Sequence, residues 1–267
     1  MPDRYRTVRT EGVVLRRKNF GETDRLLTLF TRKLGRVSVI AKAVRKPTSR
    51  KTGHVEPFMR SMFLIAKGRN LHILTQAETI KAYFALREDL VGIGYGSYVV
   101  ELMDAFTYEE GSNLTLYKLL ISTLERLNRG DSPDVVLRYY ELRLLEEVGF
   151  RPELFHCVEC KKLIQEQDQY FSGQLGGVLC PSCGDQGVGN HFHLISARAL
   201  KYLRHFQRSR YSDIKDVPIP PELVPEIERA MHNYLVYILE RNLNSPAYLS
   251  LVGNLKKNQK EENRGES

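Results

Sequence analysis

Arg36-Val-Ser-Val-Ile-Ala-Lys42 alternates apolar and polar side chains over part of its length, as a strand does when one face packs and the other meets solvent. It sits in one of five short runs rich in Val, Ile, Leu, Phe and Thr: Thr7 to Arg16, Arg25 to Thr31, Arg36 to Val44, Phe58 to Ala66 and Leu71 to Ala77. Gly21, Gly35, Pro47, Gly53, Pro57, Gly68 and Asn70 punctuate them, and Gly68-Arg-Asn70 reads as the hairpin turn between the last two. Five short strands are too few for a sandwich of two full sheets. They fit a small closed barrel of the OB type over residues 1–80.

Beyond about Ile80 the period changes from two to three-and-a-half. Ser97 to Ala105, Leu114 to Leu127 and Val135 to Val148 carry apolar residues at helical spacing, with Leu116, Leu119, Leu120, Thr123, Leu124 and Leu127 forming one stripe. Ser132-Pro133 marks the start of the third helix and Gly149 its stop. Ser196 to Gln207 and Pro221 to Arg241 resume the pattern. The fold class is therefore α+β: the N-terminal OB-fold β-barrel, an α-helical domain over 81–150 and 191–254, and an inserted four-cysteine, zinc-ribbon-like module over 151–190. The polar tail 255–267 reads as disordered.

That module rests on Cys157-Val-Glu-Cys160 and Cys180-Pro-Ser-Cys183, which hold all 4 cysteines of the chain. Each CxxC turn points two sulfurs at one centre, and two such turns supply the four soft donors of a closed tetrahedral Zn²⁺ site. Gly184 after the second pair permits the tight backbone of a zinc knuckle. Two disulfides are the competing reading, but they require export, and a redox dithiol does not need a matched second pair. With four protein ligands the zinc is structural. His156, beside the first pair, is a less economical ligand; His191 and His193 read as surface residues or as residues that support the ligands from behind.

The chain carries a formal net charge of +8. Residues 1–81 hold 19 Lys+Arg against 6 Asp+Glu, and the remainder is mildly acidic. Charge scattered for solubility would not be so one-sided, so a polyanion partner is expected. Nucleic acid is favoured over a membrane because the basic residues interleave with strand-like sequence and not along an amphipathic helix. The opening Met-Pro-Asp-Arg-Tyr-Arg has no apolar signal region and no stretch is long enough to span a bilayer. A cytoplasmic, nucleoid-associated protein with reduced thiols is expected.

The chain has no phosphate-binding loop, dinucleotide fingerprint or nucleophile elbow, and Gly92-Ile-Gly-Tyr-Gly96 reads as helix packing or a turn. Glu141, Glu146 and Glu147 lie where salt pairing is the ordinary explanation. No nucleophile, base and orienter assemble, so the expectation is a binding protein, not an enzyme. The densest basic stretch, Lys42, Arg45, Lys46, Arg50 and Lys51, occupies the loop before the fourth strand, where OB barrels commonly take nucleic acid. Its Pro, Thr and Ser read as mobility, suited to a backbone clamp. Arg16, Arg17, Lys18, Arg32, Lys33 and Arg36 add charge in the same domain. Phe20 and Tyr5 are possible base stackers, more simply core or rim.

In order along the chain, several runs resemble the bacterial recombination mediator family RecO. They are Glu11-Gly-Val-Val-Leu15, Gly21-Glu-Thr-Asp24, Leu26 to Thr31, Gly35, Ala41-Lys42, Arg45, Ser49-Arg50, Pro57-Phe58, Leu137 to Leu145, Gly149-Phe150, the first CxxC, Phe171-Ser172, Gly176 to Cys180 and Cys183. Ala43 departs from the Gly that family often carries before its basic loop, which stiffens the strand end. The resemblance implies an OB-fold, a helical domain and a zinc module. It also implies DNA binding, single- and double-stranded, with annealing of complementary strands in DNA repair and recombination.

The implied partners are RecR, the acidic C-terminal tail of single-stranded-DNA-binding protein and, indirectly, RecA, which such proteins help to load onto coated strands. For the tail, the candidates are Arg138 and Arg143 within Leu137 to Leu145, and Arg198, Lys201 and Arg204 on the next helix. The rival reading is an OB-fold and zinc-ribbon RNA-binding factor in transcription or translation, distinguished by RNA preference without annealing.

Overall fold

A computed structural model describes residues 7–68, 71–108, 111–185 and 192–246. The first eighty residues form strands β1 (Thr7–Phe20), β2 (Asp24–Thr31), β3 (Gly35–Ala41), β4 (Arg60–Ala66) and β5 (His72–Lys81). They close into a barrel in the order β1-β2-β3-β5-β4. Every pairing is antiparallel except β3 with β5, where Val39 faces His72 and Ile40 faces Ile73. Period-two alternation sends Leu27, Leu29, Val37, Val39, Phe63, Ile65 and Leu74 inward, each at most 1% exposed. The OB-type barrel expected from the alternation is present.

Strand ends differ from the sequence reading for local reasons. β3 stops at Ala41 and not Val44, because Ala43 turns into the left-handed region at φ 53°. Val44 still reaches the barrel core. β4 starts at Arg60 because Phe58 is left-handed too, at φ 68°. β1 and β5 run longer than expected, held by rungs to β2 and β4 out to Phe20 and Lys81. The turn expected at Gly68-Arg-Asn70 falls partly on residues outside those described.

Helices α1 (Phe84–Arg87), α2 (Leu90–Phe106) and α3 (Leu114–Arg129) follow. α2 begins seven residues before the apolar run that announced it, and Asp89 caps it by accepting the N–H groups of Val91 and Gly92. Gly92, Gly94 and Gly96 lie inside this helix; a Cβ on Gly96 would meet the Phe58 ring at 3.3 Å. Close packing of the helix on Phe58 is thus the use of Gly96. α3 buries Leu116, Leu120, Thr123, Leu124 and Leu127 of the expected stripe, while Leu119 is half-buried. Asn113 caps it through the N–H of Leu116.

By compactness the chain forms two units, one comprising 1–129 with the chain from 244 onward, the other 130–243. The expected helical segment 81–150 is shared between them. In the first unit, Glu101 of α2 accepts the backbone N–H groups of Asn244 (2.8 Å) and Ser245 (2.9 Å). In the second, α4 (Pro133–Glu147) opens on Pro133 and ends at Gly149, whose φ is 85°. A three-stranded sheet follows, β6 (Gln169–Ser172), β7 (Gly177–Leu179) and β8 (Phe192–Ile195), in the order β7-β6-β8, with α5 (Pro181–Gly184) between β7 and β8. Helices α6 (Ala197–Arg208), α7 (Tyr211–Ile214) and α8 (Val224–Leu239) complete it. Phe171 of β6 packs edge-on against Tyr234 of α8, ring centroids 5.6 Å apart. The expected tail 255–267, Tyr5 and His191 lie outside the described residues.

Candidate nucleic-acid interface and metal centre

Between β3 and β4 the basic loop folds back over the end of the barrel. Several hydrogen bonds tie it to the barrel. The Asp24 carboxylate accepts the N–H of Ala43 at 2.7 Å, and the Thr23 carbonyl accepts that of Arg45 at 2.9 Å. Arg45 Nη1 donates to the Gly21 carbonyl (3.4 Å). Lys51 Nζ donates to the carbonyls of Lys42 (3.1 Å) and Leu74 (3.3 Å), stapling the loop to β5. Burial lowers the pKa of Lys51, partly offset by the nearby Asp24 charge. Lys51 therefore shapes the loop, while Lys42, Lys46 and Arg50 stay exposed with no ion-pair partner among the described residues.

An open groove of about 910 Å³ runs between this loop and the outer faces of β4 and β5. Arg9, Lys42, Lys46, Arg50 and Lys51 border it, over a floor that includes Met62, Leu64, Thr75 and Gln76. Glu78 is the one carboxylate among the lining residues. The one aromatic there, Phe63, is fully buried, so no ring is offered for stacking. Such a surface attracts a phosphodiester backbone by releasing its counterions and is indifferent to base. Arg9 escaped the sequence reading because only the pairing of β1 with β4, which sets Arg9 opposite Leu64, brings it to the groove.

The other barrel candidates divide. Arg16 and Lys18 are exposed on β1, and Arg32 and Lys33 are exposed in the turn after β2. Arg17 and Arg25 share Glu56. Arg36 bonds Asp104 of α2 at 2.7 Å and so holds that helix to the barrel.

In the second unit, the four cysteine sulfurs lie within 4.8 Å of one another. Cys160 Sγ and Cys180 Sγ are 3.8 Å apart, far beyond a disulfide bond. Sulfurs at about 2.3 Å from one central ion sit about 3.8 Å apart at tetrahedral corners, so the donor set fits a metal ion. Both knuckles are built by backbone geometry. Lys161, at φ 61°, returns its N–H to the Cys157 carbonyl (2.9 Å), and Gly184 returns its N–H to that of Cys180 (2.9 Å). Burial opposes ionisation of Cys157, but the N–H groups of Cys180, Cys160 and Glu159 outweigh it and bring the thiol down to about 6. Gly184 is required for a reason the sequence hid: a Cβ there would stand 2.0 Å from the Tyr170 ring. His156 is outside the cluster, 3.7 Å from Glu153.

The arginines expected to meet an acidic tail are mostly engaged within this unit. Arg138 is 7% exposed and bonds Glu141, itself fully buried, at 2.8 Å. Arg143 holds Glu146 (2.5 Å) and the Ser209 carbonyl (2.6 Å). Arg204 donates to the Leu154 carbonyl (2.7 Å) and lies over the Phe155 ring. Arg198 is exposed beside Glu222, and Lys201 is exposed.

Compared with known proteins, residues 5–83 match the model "Recombination protein O N terminal" and residues 87–247 match "Recombination protein O C terminal". The chain belongs to the RecO family. It is 41% identical over 249 residues to the DNA repair protein RecO of Roseiflexus sp. (strain RS-1), covering 93% of this chain and 87% of that one. It is 35% identical over 233 residues to that of Dehalococcoides mccartyi (strain BAV1), covering 87% and 91%. To that of Bacillus pumilus (strain SAFR-032) it is 32% identical over 251 residues, covering 94% and 96%.

Several residues that carried the RecO resemblance prove to shape the barrel. Gly21 turns the β1–β2 hairpin at φ 59°, Asp24 ties it to the loop, and Phe58 packs on Gly96. Ala43 occupies a left-handed position where Gly costs nothing. Among the described residues no helix is long and apolar enough to cross a membrane.

Proposed function

We propose that this chain is a non-enzymatic recombination mediator that binds single- and double-stranded DNA and anneals complementary strands. With RecR it helps load RecA onto strands coated by single-stranded-DNA-binding protein, in the cytoplasm at the nucleoid. The observation that carries this reading is the groove: five basic residues against one carboxylate, on a barrel of a chain in a DNA repair family. Two polyanions repel until a cationic surface displaces their counterions, after which base pairing supplies the driving energy. The proposed contacts are Lys42, Lys46, Arg50 and Arg9 in the groove. Arg45 and Lys51 hold the loop that presents them.

The metal is Zn²⁺, held by Cys157, Cys160, Cys180 and Cys183, and its role is to cross-link the two knuckles. Four protein ligands leave no position for a reactive water. Arg198 and Lys201 form the exposed cationic rim for the acidic tail of single-stranded-DNA-binding protein. Strand annealing with and without that coating protein, across a salt series, tests the whole reading. Annealing that speeds naked strands and persists on coated ones supports it; preference for RNA without annealing would instead make the chain a transcription or translation factor.

A further inference from the structure

Residues 16–20 of β1 extend past the last rung joining β1 to β4, Val13 opposite Arg60, and all five are exposed. Along that stretch the paired strand is β2, with Arg16 opposite Thr28, Lys18 opposite Leu26 and Phe20 opposite Asp24. Simple alternation would put Arg16 on the face of Val14, inside the barrel. The register shift between Val14 and Arg16 moves it out. Arg16, Lys18 and Phe20 consequently line the outer face at two-residue steps, about 7 Å apart. Arg17 falls on the inner side with Leu27 and meets Glu56.

Neither Arg16 nor Lys18 has an ion-pair partner among the described residues, and Phe20 is 52% exposed at the hairpin turn. A lone exposed ring is ordinary. A ring in line with two unopposed cations, set there by a bulge, has the make-up of a stacking platform with phosphate-binding groups beside it. None of the three lines the groove. The hairpin tip and the basic loop are nevertheless joined by the bonds from Asp24 to Ala43, Thr23 to Arg45 and Gly21 to Arg45.

We propose that Arg16, Lys18 and Phe20 form a second site for single-stranded nucleic acid, with a base stacked on Phe20 and phosphates on the two cations. Groove and hairpin face then hold two strands side by side along the seam where loop and hairpin meet. This rests on the nucleic-acid reading of the groove and adds the feature annealing needs, simultaneous capture of both strands by one barrel.

The chain contains no tryptophan, so Phe20→Trp introduces a single reporter at an exposed position. Oligonucleotides of about ten residues, within the span of one such site, serve as the probe. Their binding should quench the introduced tryptophan, and should still do so when Lys42→Ala, Lys46→Ala and Arg50→Ala are added. Two oligonucleotides should bind per chain, falling to one in the Arg16→Ala, Lys18→Ala, Phe20→Ala variant. That variant should retain groove binding yet anneal complementary strands about tenfold more slowly. Oligonucleotide binding without quenching, unchanged stoichiometry, or quenching that disappears with the loop substitutions would overturn the second site and leave the groove standing. Failure of the unsubstituted chain to bind any oligonucleotide would overturn the groove reading itself.

Discussion

The barrel and the helices α4 and α6 both carry basic side chains, and they use them in opposite ways. At the groove, Lys42, Lys46 and Arg50 face solvent with one carboxylate among their neighbours. On α4 and α6, Arg138, Arg143 and Arg204 are committed to Glu141, Glu146 and two backbone carbonyls. Residue type does not separate the two uses; availability does. Cations that lack a protein partner are free to replace the counterions of a polyanion, whose release drives binding, whereas paired ones fix the fold.

The sharpest contrast is at the cysteine cluster, where the second unit gathers four thiols that could hold a metal ion and the barrel has none. Zinc should be found at one ion per chain, and Cys180→Ser should abolish its binding and cost several kcal/mol of stability in that unit. Oligonucleotide binding by the barrel should survive. Metal analysis with thermal unfolding checks both parts, and full stability without metal would mean the site is vestigial.

Next in size is Arg138→Ala, which removes the ion pair of the buried Glu141. A loss of about 3–5 kcal/mol in urea unfolding is expected, since a buried carboxylate keeps its desolvation cost when its partner is removed. A change below about 1 kcal/mol would place Arg138 among the available cations after all.

For the proposed tail rim, Arg198→Glu with Lys201→Glu should weaken binding of the acidic tail peptide about tenfold and leave naked-strand annealing intact. Loss of both activities, or of neither, would reject a separate rim on α6.

The smallest effect is local to the loop. Ala43→Gly should stabilise the chain by about 0.5–1 kcal/mol, because φ 53° costs a side-chain-bearing residue more than the extra freedom of glycine. A destabilised Ala43→Gly chain would show that the loop conformation is held by other means.

Much of this was readable before any coordinates. Alternation revealed the barrel because each inward residue had to be apolar, and the two CxxC pairs converged because the spacing leaves two short knuckles free to meet. Three things were hidden, each by tertiary structure. The bulge after Val14 decides which of Arg16 and Arg17 faces out, and no local propensity marks it. The opening turns of α2 were masked by Gly92, Gly94 and Gly96, of which Gly92 and Gly96 serve close packing against Leu86 and Phe58 at the expense of helix propensity. The burial of Arg138 depends on what covers α4, which one helix's pattern does not contain. Lys51 illustrates the same limit: it reads as one more cation, yet its ammonium is spent on two carbonyls.

The claim that unpartnered barrel cations bind the strand is tested most directly by the salt dependence of single-strand binding. The unsubstituted chain should be compared with a chain carrying Lys42→Ala, Lys46→Ala and Arg50→Ala. Loss of three phosphate contacts should flatten the slope of log K against log salt by about 2, with unchanged thermal stability. An unchanged slope in a folded variant would contradict the account and move the nucleic-acid surface off the groove.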